Sequence, residues 1–137
     1  MMTPMTAVAA LLLMMLQAPT PMRSIDKGLD SQVDDARQAT VRSAAEWEKL
    51  WKQHAGERVR PAVDFGRDMV VAVFLGSRPT AGFSVEIVGA HADGSALIVQ
   101  YRERRPAAGG ITAQVLTSPY HIVAMPKHGD VKFEKVN

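Results

Sequence analysis

Met69-Val-Val-Ala-Val-Phe-Leu75, followed by Gly76-Ser-Arg-Pro-Thr-Ala-Gly-Phe-Ser-Val-Glu-Ile87, is the stretch from which the fold can be read. Its first seven residues are apolar without alternation, which predicts a central strand buried on both faces. After Gly82, Phe83, Val85 and Ile87 alternate with Ser84 and Glu86, the period of a half-buried strand. Between the two lies Arg78-Pro-Thr-Ala-Gly82. Pro79 fixes one φ and removes a donor, and Gly82 tolerates backbone angles that other residues avoid. Such a loop can present Arg78 and Thr80 to a partner, or can be an ordinary connection between strands. The residues by themselves leave both open.

Moving toward the C-terminus, Asp93-Gly94 signals a hairpin between strands at 83–88 and 96–101. Arg102-Glu-Arg-Arg-Pro106 ends the second strand, and Ala107-Ala-Gly-Gly110 reads as a loose loop. The pattern predicts further strands at 111–117, 120–125 and 131–136. Thr117-Ser-Pro-Tyr-His121 forms a second Pro-stiffened element, with Ser118, Pro119, Tyr120 and His121 at its centre.

On the N-terminal side, a strand is expected near 39–42, and Ser43 with Glu46 forms a capping box that opens a helix. Trp47, Leu50, Trp51 and His54 make one stripe at helical spacing, which reads as core, and Gly56 supplies the stop. His54 reads as a C-terminal-turn residue suited to the helix dipole. Residues 19–38 mix Pro, Met, Ser, Asp and Gln without a period and read as a flexible linker. Ahead of them, Ala7-Val-Ala-Ala-Leu-Leu-Leu-Met-Met-Leu16 before Gln17-Ala18 has signal-peptide length and is short for a membrane span. Residues 1–18 are therefore expected to direct export, leaving a periplasmic or secreted chain with no stable membrane anchor. The expected fold is α+β, mainly antiparallel β, with one N-terminal amphipathic helix packed on a curled sheet or sandwich of about six strands.

Composition narrows the function. The 137 residues suit one domain, and 16 basic against 14 acidic residues leave a net charge of only +2. Basic residues are scattered, with Arg102, Arg104 and Arg105 the densest group, so no nucleic-acid partner is expected. The absence of cysteine excludes disulfides, thiolate zinc sites, cysteine nucleophiles and a lipidated cysteine. His54, His91, His121 and His128 are isolated in sequence, so no metal is expected. Ser118, His121 and Asp64 would be the best hydrolytic set, but no G-x-S-x-G elbow accompanies them. Asp64 lies in turn chemistry and is expected to bond to nearby backbone. Phosphate loops and dinucleotide fingerprints are absent, no cofactor is expected, and the chain reads as a non-enzyme. What remains is binding by two loops. If they meet, Arg78, Thr80, Ser118, Tyr120 and His121 would form a mixed polar and aromatic patch of the kind favoured at protein interfaces.

The stretch 76–87 followed by Thr117-Ser-Pro-Tyr-His-Ile-Val123 resembles the C-terminal domain of PrcB-like protease-complex stability proteins. Ser43-Ala-Ala-Glu-Trp-Glu-Lys-Leu-Trp51 and Val63-Asp-Phe65 resemble segments upstream of it in bacterial exported relatives, so the domain is taken as 39–137. The resemblance implies a non-catalytic accessory that associates with, and stabilises, a secreted or surface protease complex, with Arg78, Pro79, Thr80, Gly82, Phe83 and Ser118 to His121 as candidate contacts. Phe83 stands where Tyr is usual in the family, and the lack of cysteine departs from relatives that are lipoproteins. Arg78-Pro-Thr-Ala-Gly-Phe83 is also similar to the Asn-Pro-Thr-Thr-Gly-Tyr loop of chagasin-like inhibitors of papain-type proteases, which implies an inhibitor instead. A third reading is an envelope structural or ligand-binding module in which both loops are only turns.

Overall fold

The computed structural model describes residues 19–137, and the export segment read at 1–18 lies outside them. In chain order the elements are β1 (Arg23–Gly28), β2 (Arg37–Val41), α1 (Ala44–Ala55), β3 (Asp68–Phe74), β4 (Ser84–Asp93), β5 (Ala96–Arg104), β6 (Tyr120–Pro126) and β7 (Asp130–Val136). They form two sheets, ordered β1-β6-β3-β2 and β4-β5-β7. The helix covers one face of the four-stranded sheet, and the three-stranded sheet covers the other. The fold is α+β and mostly antiparallel, with seven strands among the described residues.

Parity along β3 explains why its sequence does not alternate. Val70, Ala72 and Phe74 pack with Trp47, Leu50 and Trp51 of α1, while Met69, Val71 and Val73 pack with Val85, Ile87, Leu97 and Val99 of the second sheet. Both sets of side chains meet apolar neighbours, so every residue of the strand is buried. Its partner β6 is divided in the same way, with Tyr120 and Ile122 toward the helix and Val123 and Met125 toward the second sheet. In β4 an irregularity between Ile87 and Gly89 shifts the parity, so the buried series runs Val85, Ile87, Ala90.

The helix starts and stops where its caps require. Ser43 Oγ accepts the Glu46 amide at 3.2 Å, and Gly56, at φ 59°, donates its amide to Lys52 O at 3.0 Å. The indoles of Trp47 and Trp51 donate to Pro61 O and Arg58 O, tying the returning chain to the helix at 2.9 and 2.8 Å. Asp64 bonds locally, accepting the Gly66 amide at 2.9 Å. Asp93-Gly94 makes the expected hairpin turn, with Gly94 at φ 62°.

Several expectations are corrected. Residues 23–28, read as part of a linker, form β1 and pair antiparallel with β6. The helix is consequently not N-terminal, since two strands precede it. β7 pairs parallel with β5, because the chain crosses from one sheet through β6 before returning. Residues 111–117 have strand-forming side chains but no ladder partner, and only Thr117 makes an isolated bridge, to Arg78.

Candidate functional site

The two Pro-stiffened loops meet. Arg78 N donates to Thr117 O at 2.8 Å and Thr117 N donates to Arg78 O at 3.0 Å. Thr117 Oγ1 donates to Thr80 O at 3.1 Å, and Leu75 N donates to Pro119 O at 3.0 Å. The junction is close-packed. Gly76 sits at φ 79°, and a Cβ there would lie 2.7 Å from Ala36 N. Gly82 sits at φ 97° against the ring of Pro106.

Arg78 is fixed rather than free. Its guanidinium donates to Leu75 O at 2.8 Å, reaches Glu103 Oε1 at 3.4 Å and lies 5.6 Å from the Phe83 ring centre. Glu103 is shared with Lys135 at 2.9 Å and Arg105 at 3.5 Å. Burial alone would raise the Glu103 pKa, but these cations outweigh it and hold the carboxyl below its ordinary value. Beside them a cleft of about 360 Å³ is lined by Arg37, Gln38, Phe74, Arg78, Tyr101 and Glu103.

The rest of the expected patch divides by depth. Pro79 and Gly82 are exposed, while Arg78, Thr80, Phe83 and Ser118 are half-buried. Pro119, Tyr120 and His121 are buried, so they do not join a surface patch. Alternation along β6 sends Tyr120 into the helix layer and His121 into the space between the sheets. His121 Nδ1 accepts the Ile87 amide at 2.9 Å, which places the ring proton on Nε2 for donation to Ser24 Oγ at 2.8 Å. Burial, with the Lys27 charge adding, pushes the His121 pKa down to about 4. Burial and the neighbouring Asp26 push Tyr120 up to about 12.

One constellation escapes the sequence reading. His54 is 1% exposed, and its Nε2 lies 2.9 Å from Asp26 Oδ2 while its Nδ1 lies 2.8 Å from Ser31 Oγ. Burial holds His54 below its ordinary pKa against the pull of Asp26, so the ring is neutral at neutral pH. Its Nε2–H then donates to the carboxylate, and the Ser31 hydroxyl donates to Nδ1. This row has the composition of a hydrolytic triad but not its accessibility. Ser31 is buried, and its oxygen already accepts the Val33 amide at 3.0 Å. Arg58 completes the row, reaching Asp26 at 2.8 Å, so the group fastens β1 to the helix. Asp26 and Ser31 lie in the stretch read as a linker, which is why spacing along the chain gives no sign of the partnership.

Among the described residues no helix is long and apolar enough to cross a membrane. No curated protein and no solved structure matches the sequence. Residues 69–126, spanning most of β3 through β6 and both loops, match the family model described as PrcB C-terminal. Over this segment the chain is similar to the PrcB C-terminal family.

Proposed function

We propose that the protein is a non-catalytic, exported accessory that associates with a protease complex and stabilises it. The observation that carries this reading is the joining of the two loops, inside the family segment, into one rigid end with Pro79 and Gly82 at its surface. A surface fixed before binding loses little further entropy on docking. The test is the lifetime of protease activity in the native host with and without this chain. Deletion should shorten that lifetime, and the purified chain added back should restore it without blocking peptide hydrolysis. An unchanged lifetime would sink the accessory reading.

The exposed Pro79 and Gly82, held at the loop base by the Arg78–Thr117 bridge, also suit insertion into a cleft. On that second reading the chain inhibits a papain-type protease. Inhibition that disappears when residues 78–82 become a Gly/Ser loop would select it over the accessory.

A further inference from the structure

Beside the joined loops, the chain leaves three large apolar side chains in water within six residues. Ile111 is fully exposed, Leu116 is 82% exposed and Val115 is 52% exposed. The other large apolar side chains exposed among the described residues, Met22, Leu29 and Val59, lie apart from one another in sequence. Isolated exposures are ordinary, whereas a cluster marks an interaction surface. The cluster also falls in a stretch whose strand-forming residues lack a ladder. Within it the amides of Ile111, Thr112, Gln114 and Leu116 donate to no backbone carbonyl among the described residues.

We propose that residues 111–116 are a docking segment that enters an apolar groove with an acidic rim on a protein partner. This rests on the accessory reading and names the surface that would carry it. Three observations favour a protein groove. The segment is held at its base, where Ala81 N donates to Ala113 O at 3.0 Å and Thr117 bridges Arg78, so its apolar groups start from a fixed platform. Its β-branched and aliphatic side chains suit an extended segment laid in a groove, with pockets for alternate residues. Its flank is positive: Pro106 and Thr112 both close on Gly82, and next to Pro106 the exposed Arg105 shares the single Glu103 carboxylate with Arg78 and Lys135. Three cations on one carboxylate leave an excess of positive charge, which calls for carboxylates on the partner.

The experiment uses the full chain, tagged at its C-terminus and produced in its own host, with recovered caseinolytic activity as the readout. Ile111→Ser/Val115→Ser/Leu116→Ser should lower that activity at least about tenfold while leaving the melting temperature unchanged, since the three side chains are not core. Arg105→Gln should flatten the salt dependence of recovery. Wild-type recovery matched by the triple variant would overturn the docking segment and leave the accessory reading standing. Failure of the wild type to recover any activity would overturn both. Binding to phosphatidylglycerol vesicles that the triple variant loses would assign the segment to a membrane and overturn the protein groove. Concentration-dependent self-association lost in the same variant would assign it to a second copy, with the same consequence.

Discussion

Arg78-Pro79 and Ser118-Pro119 are the same kind of turn, joined at the same end of the molecule, and they have opposite fates. Pro79 is exposed, whereas Pro119 is buried and leads directly into Tyr120 and His121. The difference comes from the strand into which each turn leads. After Gly82 the chain enters β4, which has one face on the core, so Ser84 and Glu86 remain outward. After Pro119 it enters β6, which has the helix on one face and a sheet on the other, so neither parity leads to water. A turn's composition therefore says little about its exposure, while the layer its next strand enters decides it.

The strongest way to break this comparison is Tyr120→Ala. Tyr120 is 2% exposed, and its ring lies 4.3 Å from that of His54, edge-on. Truncation should cost about 3–5 kcal/mol, the range for large aromatics in a core. Urea unfolding would measure it. A loss below about 1 kcal/mol would mean that the second loop is not built into the core in this way.

The other face of β6 gives a pH-dependent counterpart. His121 accepts the Ile87 amide, so protonating Nδ1 would turn an acceptor into a donor facing a donor. Its folded pKa of about 4 lies below the unfolded value near 6.5. Between those values the unfolded chain takes up a proton that the folded chain refuses. Its contribution is therefore complete above 6.5, declines as pH falls, and is gone below about 4, for a total of roughly 3 kcal/mol. His54, also held below its ordinary pKa, adds in the same direction. His121→Asn keeps an acceptor for the Ile87 amide without the titration. Unfolding midpoints from pH 7 to 4.5 should slope less steeply in the variant than in the wild type. Equal slopes would remove His121 as a source.

What can be read from sequence divides along similar lines. The buried run at 69–75, the Ser43 N-cap and the Asp93-Gly94 turn act through local sterics and periodicity, and each appears where expected. β1 escapes such a reading because Arg23-Ser-Ile-Asp-Lys-Gly28 is polar and carries a register shift between Ser24 and Asp26, so no period survives. Its partner lies near the other end of the chain, beyond any local signal. The segment 111–117 misleads for the opposite reason. Its β-propensity is evident, but a strand needs a neighbouring strand, and none is adjacent in the described fold. The buried His54 row is hidden by the first effect, since its Asp26 and Ser31 come from the polar N-terminal stretch. Of the candidate site, the loops and their chemistry can be read, but the burial of Tyr120 and His121 depends on the third layer.

Pro79→Ala sharpens the comparison at its weak end. Pro79 is exposed, so its removal leaves little unsatisfied in the folded loop. The main consequence lies in the unfolded chain, which gains backbone freedom worth about 0.4–1 kcal/mol. The folded loop keeps its two Arg78–Thr117 backbone bonds, and Arg78 keeps Glu103. The unfolding midpoint should therefore fall only slightly, several-fold less in free energy than for Tyr120→Ala. If Pro79→Ala costs as much as the core truncation, the loop must carry strain that proline relieves, and the two turns would be equally integral to the fold. If its cost stays small, the first loop can tolerate changes at its tip because the second loop anchors its base.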